Sequence, residues 1–161
     1  MPLLGTMFTI TNYGTWLRGD KRGWVDDGKT LPADPELERA DEARLKHPPF
    51  LFCPPDFQRI GVCIGESLRM RLEQRVWALA VNTWHVHFVV AASRYGPAEV
   101  VPCTKDAVRY GLRAGRPIWT AGYDKRFCFD ERTLRTRIAY VERHNLALGW
   151  AARPWEFIEE V

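Results

Sequence analysis

Two short apolar runs near the middle of the chain predict a β-hairpin. Residues 76–81 and 86–92 are rich in β-branched and aromatic side chains, and the short stretch Asn82-Thr83-Trp84 separates them. Runs of this length on either side of a short polar break are typical of two paired strands. We therefore expect the hairpin to form the centre of a sheet, with a first strand over residues 6–17 pairing beside it.

The second strand of this hairpin carries two histidines, His85 and His87. Side chains alternate between the faces of a strand, so residues two apart point the same way. The two imidazoles are expected to stand side by side, while Val86 and Phe88 face a core. Such a pair can bind a divalent cation if a third ligand comes from elsewhere and open positions remain for substrate. The spacing also arises by chance, so the pair alone does not establish a metal site.

An amphipathic helix near the C-terminus supplies candidates for the third ligand. Apolar residues recur at helical spacing over residues 134–148. Tyr140 and His144 are four positions apart and lie on one side of this helix, away from the apolar stripe. Asn145 follows directly and is turned about 100° further around the axis. Both His144 and Asn145 remain candidates for the third ligand.

The remaining pattern predicts further helices and a long loop. Residues 18–33 are rich in turn formers and predict a loop, after which Asp34-Pro35 caps a short charged helix to about Lys46. A second helix is expected over residues 56–74. The stretch from Gly96 to about Arg113 is mixed, with only 107–112 clearly amphipathic. Residues 118–129 predict strand and turn, and Asp130 is expected to cap the tyrosine helix.

This order of elements predicts an α+β fold with one antiparallel sheet. Strand, helix, hairpin, helix, strand and helix follow one another, as in a ferredoxin-like sandwich. With 161 residues and 46% hydrophobic content, the chain has the size of one domain with its own core. We therefore expect a single domain over residues 1–161.

Charge and cysteine usage narrow the class of protein. The formal net charge is only +3, but acidic residues cluster over 34–42 and basic residues dominate from Lys105 onward. The four cysteines show no C-x-x-C spacing, which indicates reduced thiols rather than a zinc ribbon or a dithiol redox site. The chain shows no signal-peptide pattern and no apolar run of membrane-spanning length. We expect a soluble, cytoplasmic protein with no membrane partner.

The two histidines and the helical tyrosine together resemble the HUH single-tyrosine transposases, both those of insertion sequences and the REP-associated kind. Other landmarks of that family follow in order over nearly the whole chain. They are Ile118-Trp119, the stretch 122–127 (Gly-Tyr-Asp-Lys-Arg-Phe), Tyr140-Val141 and the stretch 145–149 (Asn-Leu-Ala-Leu-Gly). Two departures stand out. Histidine occupies position 144 where the family usually has glutamine or asparagine, and Thr83-Trp84 stands where many relatives have Pro-Asn.

The resemblance implies a metal-dependent single-stranded DNA endonuclease and strand transferase. Tyr140 would attack a DNA phosphate and form a covalent 5′-phosphotyrosine link, so no nucleotide cofactor is needed. His85, His87 and His144 would hold Mg²⁺ or Mn²⁺. The partner would be single-stranded DNA with hairpin structure, so the protein would be nucleoid-associated when bound to it. The family acts as homodimers, and the tyrosine serves either its own or its neighbour's metal site.

Candidate DNA-binding residues lie in the basic half of the chain. Arginines near the tyrosine would track the phosphate backbone, and aromatic rings would stack on bases. The candidates are Arg135, Arg137, Arg143, Trp119 and Tyr123.

Two other functions fit part of the pattern. A ferredoxin-like sheet also suits a catalytically silent module that binds single-stranded nucleic acid, although no RRM-type aromatic signature is visible. Cupin oxygenases also use a His-x-His pair, but they place a glutamate four or five residues after it, where this chain has Ala91 and Ala92.

Overall fold

The computed structural model describes residues 1–161 and contains one four-stranded antiparallel sheet in the order β4-β5-β1-β6. Its strands are β1 (Gly5–Thr11), β4 (Val76–Val81), β5 (His85–Ala91) and β6 (Asp124–Cys128). A separate two-stranded hairpin is formed by β2 (Trp24–Asp26) and β3 (Lys29–Leu31). The predicted hairpin of β4 and β5 is confirmed, and β1 pairs with β5 as expected. However, β5 lies inside the sheet whereas β4 forms its edge.

Four helices complete the fold, together with a short 3-10 turn over Pro54–Asp56. They are α1 (Pro35–Arg44), α2 (Phe57–Leu72), α3 (Pro97–Leu112) and α4 (Glu131–Ala147). The elements of the main sheet therefore follow the order β1-α2-β4-β5-α3-β6, which is the βαββαβ order of a ferredoxin-like sandwich. The α+β prediction is confirmed. None of these helices is both long and apolar enough to cross a membrane.

The sheet has a different cover on each of its two faces. Alternate residues of the strands pack against α2 and α3, where Phe8, Phe88 and Ile64 belong to the larger buried cluster. The opposite residues face α4, where Met7 and Val141 belong to a smaller cluster. Because the α4 face buries fewer apolar residues, it leaves room for polar side chains between the sheet and the helix.

Two predictions near the N-terminus were wrong. The first strand ends at Thr11 rather than at residue 17, because the buried Asn12 turns its backbone and side chain towards Trp84, Phe50 and Thr83. The predicted loop over 18–33 contains the β2-β3 hairpin. Its turn has positive φ at Asp27 (48°) and Gly28 (73°), the backbone of a type I′ turn, for which Asp-Gly is a common sequence.

The mixed stretch after Gly96 is one continuous helix, α3, despite an internal proline. The Val100-Val101 pair and Pro102 argue against a helix by propensity. Tertiary packing overrides this low helix propensity, since both valines are buried in the larger core cluster. The N-terminus of the helix is also capped, because the backbone N–H of Gly96 donates to the Glu99 carboxylate at 2.8 Å.

The C-terminal segment 150–161 crosses α2 and covers the outer edge of β4. Trp155 is buried over Gly61, and the backbone N–H of Glu159 donates to the Val76 carbonyl at 2.9 Å. A Cβ atom on Gly61 would come within 2.2 Å of the Trp155 ring. The missing side chain at position 61 is therefore what lets the segment lie flat on the helix.

Substituting Gly61 is expected to destabilise the protein through this contact. Gly61→Ala forces Trp155 to move, and overpacking of this kind typically costs about 1–3 kcal/mol. Urea denaturation followed by circular dichroism measures the change in the free energy of unfolding. Gly96→Ala is the matched control, because its Cβ would meet only the flexible Glu99 carboxylate at 3.5 Å. Equal stability of the two variants would contradict the packing described for the C-terminal segment.

Candidate active site

Strand alternation places both histidines of β5 on the face of the sheet that α4 covers. His87 lies opposite Ala80 of β4 and Thr9 of β1, and His85 lies opposite Thr11. Both imidazoles are buried, at 7% and 6% exposure, and their ring centroids are 4.4 Å apart. The expectation that the two rings share one face is confirmed.

Helix α4 brings a third histidine and a tyrosine over this pair. Asp130 caps the helix by accepting a hydrogen bond from the Thr133 backbone N–H at 2.7 Å, as predicted. The ring of His144 lies 4.5 Å from that of His87 and 5.7 Å from that of His85. One ring nitrogen from each of these three histidines lies within 4.8 Å of the other two.

Tyr140 stands beside this histidine cluster, which we define as His85, His87 and His144. Its ring centroid is 5.4 Å from that of His87 and 5.0 Å from that of His144. The side chain is 38% exposed, so its hydroxyl is open to a ligand in the cleft. Because Tyr140 and His144 are one helical turn apart, α4 presents both to the same side.

Hydrogen bonds to protein groups hold two of the three imidazoles in place. Thr9 Oγ1 lies 2.8 Å from His87 Nδ1, and the Tyr140 carbonyl oxygen lies 3.0 Å from His144 Nδ1. These contacts leave the Nε2 atom of each ring for another partner. In His85, Nε2 lies 3.3 Å from the Asn82 amide, and Nδ1 is buried without a hydrogen-bond partner.

Burial keeps the strand histidines uncharged at neutral pH. Desolvation, with the nearby His144 and Arg22, lowers the pKa of His85 to about 4. Desolvation, with the nearby His85 and His144, lowers the pKa of His87 to about 2. An uncharged imidazole has a free lone pair, which is the form that binds a metal ion.

The histidine cluster fits a divalent cation. Its ligand atoms converge, two of its members are buried and neutral, and one buried nitrogen of His85 has no other partner. Three imidazoles with the fourth side open match the donor set of catalytic rather than structural metal sites. An orienting partner on the far nitrogen of a ligating ring, as Thr9 provides to His87, is also usual at such sites.

Asn145, the other candidate for the third ligand, points into the core instead. Its side chain is fully buried, and its amide nitrogen donates to the carbonyl oxygens of Leu79 at 2.8 Å and Ala152 at 3.0 Å. The turn of about 100° between adjacent helix positions separates the two roles. His144 faces His85 and His87, while Asn145 ties α4 to β4 and to the C-terminal segment.

A cleft of about 980 Å³ opens in front of the histidine cluster and Tyr140. It is rich in aromatic rings and arginines and includes one acidic side chain, that of Asp124. Three of its arginines are paired with carboxylates, but Arg137 has no such partner. The aromatic and arginine residues that line it are Trp16, Trp24, Trp84, Tyr123, Tyr140, Arg18, Arg22, Arg126 and Arg137.

The structure brings together only part of the predicted DNA-binding set. Arg137 and Tyr123 line the cleft, and the Arg143 guanidinium lies at its side, 5.9 Å from the Tyr140 ring. Arg135 lies outside it, where it pairs with Glu131 of its own helix. Trp119 also lies outside, with its indole N–H donating to the Lys105 carbonyl at 3.1 Å.

Sequence reasoning assigned no role to several residues of the cleft. Trp16 was predicted to lie in the first strand, Trp24 and Arg22 in the loop over 18–33, and Trp84 in a turn. The tryptophans themselves were the available signal, since tryptophan is a residue type enriched at binding surfaces. Thr9 was missed because only the strand register shows that it lies opposite His87.

The hydrogen bond between Thr9 and His87 gives a prediction about metal affinity. Thr9→Val keeps the shape of the side chain but removes the partner that orients the imidazole. Loss of such a partner typically weakens metal binding about 10- to 100-fold. Isothermal titration with Mn²⁺ measures the change directly. Thr136→Val is the control, because Thr136 is exposed on α4 and lies outside the cleft. Equal Mn²⁺ affinities for Thr9→Val and the wild type would show that Thr9 does not orient His87.

The chain combines a ferredoxin-like sheet, a histidine pair on β5, a tyrosine on the covering helix and one cleft in front of both, which is the arrangement expected from the resemblance to the HUH tyrosine transposases. It is similar to the structure of a REP-associated tyrosine transposase bound to a REP hairpin, with a TM-score of 0.55 and 13% identity over 98% of this chain and 76% of that chain. A candidate transposase from Deinococcus radiodurans R1 aligns with a TM-score of 0.46 and 15% identity over 89% of this chain and 92% of the other. The first of these carries the fold assignment. No family model and no curated protein matches the sequence.

Proposed function

We propose that this chain, acting as one domain over residues 1–161, is a metal-dependent single-stranded DNA endonuclease and strand transferase. The observation that carries the proposal is the meeting of three convergent histidines and an exposed tyrosine in one arginine-rich cleft. The similar REP-associated transposase was solved with a REP hairpin, which supports hairpin-containing DNA as the substrate class. Such an enzyme would act at the chromosome, in transposition or in a domesticated role derived from it.

The histidine cluster would hold the divalent cation, which supplies charge neutralisation and orientation for a phosphate oxygen when bound. Three imidazoles are softer donors than carboxylates, so we expect Mn²⁺ to bind more tightly than Mg²⁺. Tyr140, at the edge of the cluster, is the nucleophile. Its position one turn before His144 keeps the phenol next to the bound phosphate.

The proposed reaction exchanges one phosphate ester for another. The Tyr140 phenol loses its proton and its oxygen forms a bond to the scissile phosphorus. The bond from phosphorus to the 3′-oxygen of the upstream nucleotide breaks, and that oxygen leaves as a hydroxyl after taking up a proton. The phosphate stays on the 5′ side as a phosphotyrosine. Attack by the 3′-hydroxyl of another strand reverses these steps, so rejoining needs no nucleotide cofactor.

The cations around the cleft suggest a path for the DNA backbone. Arg137 lies one helical turn before Tyr140 and has no carboxylate partner, so its charge is available to a phosphate. Arg143 would extend this path beyond the tyrosine, and the exposed ring of Tyr123 would contact a base. Arg135 and Trp119 lie outside the cleft, and the proposed path does not reach them.

The arrangement favours a tyrosine that serves its own chain. The contact between the rings of Tyr140 and His87 is made within one chain, which supports a site that each chain completes by itself. We propose a homodimer for strand exchange, since two DNA ends must be held together, with one complete site in each chain. Mixing a Tyr140→Phe chain with a His87→Ala chain should then restore no cleavage.

A gel assay for a covalent adduct tests the proposed function. Wild-type protein is incubated with a labelled hairpin oligonucleotide that has single-stranded flanks, with Mn²⁺ or with a chelator. We expect a denaturation-resistant protein-DNA band and a product with a free 3′-hydroxyl, both lost with the chelator. Binding of the same DNA without adduct or product would instead support the silent nucleic-acid-binding module.

A further inference from the structure

Three tryptophans line the cleft, and all of them come from segments other than α4. Trp16 lies in the segment after β1, Trp24 begins the β2-β3 hairpin, and Trp84 ends the β4-β5 turn directly before His85. The rings of Trp16 and Trp84 are 5.5 Å apart, and the ring of Trp84 is 3.9 Å from that of His85. We call Trp16, Trp24 and Trp84 the tryptophan wall.

Arg22 braces this wall and is not free to bind phosphate. Its guanidinium carbon lies 4.0 Å from the Trp16 ring and 4.8 Å from the Trp84 ring. The same guanidinium donates to both carboxylate oxygens of Asp20, at 2.8 and 2.6 Å, and to the Thr15 carbonyl at 2.8 Å. Its charge is thus balanced within the protein, and its role is to hold the two indoles in a fixed relation.

The hydrogen bonds of the Trp16 and Trp24 indoles leave these two rings without a free donor. The Trp16 N–H donates to the Gly23 carbonyl at 2.7 Å, and the Trp24 N–H donates to the Pro32 carbonyl at 2.9 Å. These bonds fix both rings and satisfy their donors. The Trp84 N–H has no partner within the protein. A ligand of this wall therefore needs flat, apolar faces, with at most one acceptor near Trp84.

An unpaired nucleobase has this chemistry. Bases stack on aromatic side chains with little regard to sequence, because every base presents a π face. A base on Trp84 would lie within about one or two nucleotide steps of a phosphate held at the histidine cluster. Arg137 and Tyr140, which also line the cleft, would contact the backbone of the same strand. A duplex cannot offer such a base unless it is unstacked.

We propose that the tryptophan wall is a base-stacking subsite that binds an unpaired nucleobase next to the scissile phosphate. This inference rests on the proposed function and adds the residues that select single-stranded over paired substrate. It assigns the main stacking role to Trp84 and Trp24, which line the cleft, rather than to Trp119, which lies outside it.

An abasic scan tests the proposal. The cleavage point is first mapped from the adduct formed by the wild type. Binding is then measured by fluorescence anisotropy in the Tyr140→Phe background, with strands in which one base at a time is removed. We expect a single position next to the cleavage point to lower affinity about 5- to 100-fold, the factor that matches loss of one stacked base.

Variants of the wall connect that position to the protein. Trp84→Leu should lower affinity for the complete strand by a similar factor. Its affinity for the strand that is abasic at that position should be the same as that of the protein with Trp84. Trp84→Phe should restore most of the affinity for the complete strand. Trp24→Leu, on the outer hairpin, repeats the test without disturbing Arg22. Tyr110→Leu is the control, because this tyrosine is 67% exposed on α3 and lies outside the cleft.

The outcomes separate the inference from the proposed function. Suppose that the wild type forms the adduct but no abasic position lowers affinity, or that the wall variants and the abasic strand weaken binding independently. Either result overturns the stacking subsite and leaves the proposed nuclease function intact. If no DNA yields a Tyr140-dependent adduct, the proposed function fails and the subsite falls with it.

Discussion

Replacing Tyr140 with phenylalanine is expected to abolish the covalent protein-DNA adduct. The change removes one oxygen atom and leaves the ring that contacts His87 and His144. Loss of a nucleophile lowers turnover by about 10⁴-fold or more, and Tyr140 is the tyrosine that contacts the histidine cluster. Denaturing gels with end-labelled DNA measure both the adduct and the cleaved product.

Binding separates loss of chemistry from loss of structure in this variant. Because the ring is retained, Tyr140→Phe should bind the hairpin oligonucleotide with nearly the affinity of the wild type. Tyr110→Phe, which removes a hydroxyl from an exposed tyrosine on α3, is the matched control and should form the adduct normally. An adduct of normal yield in Tyr140→Phe would assign the nucleophile to another residue.

The second large effect is expected for His87→Ala. His87 is the most central member of the histidine cluster, with ring centroids of His85, His144 and Tyr140 all within 5.4 Å of its own. Without it, two histidines remain and the cation site is incomplete. A bound metal contributes several kcal/mol to a reaction of this kind, so DNA cleavage should fall by roughly a thousandfold. Titration calorimetry with Mn²⁺ should show loss of the high-affinity site.

The cost of this substitution to stability is expected to be modest. It leaves the Thr9 hydroxyl without its partner and creates a small cavity, effects worth about 1–3 kcal/mol in total. His47→Ala is the control, because His47 is exposed and lies outside the cleft. Full activity of a folded His87→Ala protein would remove the histidine cluster from the mechanism.

The alternation of β5 and the helical spacing of α4 made the centre of the site predictable. A strand has only two faces, so the spacing of His85 and His87 fixes their common side once the apolar residues between them are buried. A helix fixes Tyr140 and His144 on one stripe in the same way. The contact between the two elements was not implied by either pattern. The expectation of this contact came from the family resemblance, and the structure places the rings of Tyr140 and His144 beside that of His87.

Other parts of the site depend on tertiary contacts that no local pattern encodes. The choice between His144 and Asn145 is set by the rotation of α4 on the sheet, which buries Asn145 against Leu79. The tryptophan wall depends on how the segment 12–31 folds back over β5, and its brace is an ion pair between Asp20 and Arg22. Only the last part of α3 was predicted as helix, because burial of Val100 and Val101 outweighs the local preference around Pro102.

A crystal structure of the protein soaked in Mn²⁺, with the ion located by anomalous scattering, tests the central claim most directly. We expect one ion bound by a nitrogen from each of His85, His87 and His144, with an open position facing the Tyr140 hydroxyl of the same chain. An ion bound elsewhere, or a histidine cluster that stays empty at saturating Mn²⁺, would contradict the central claim.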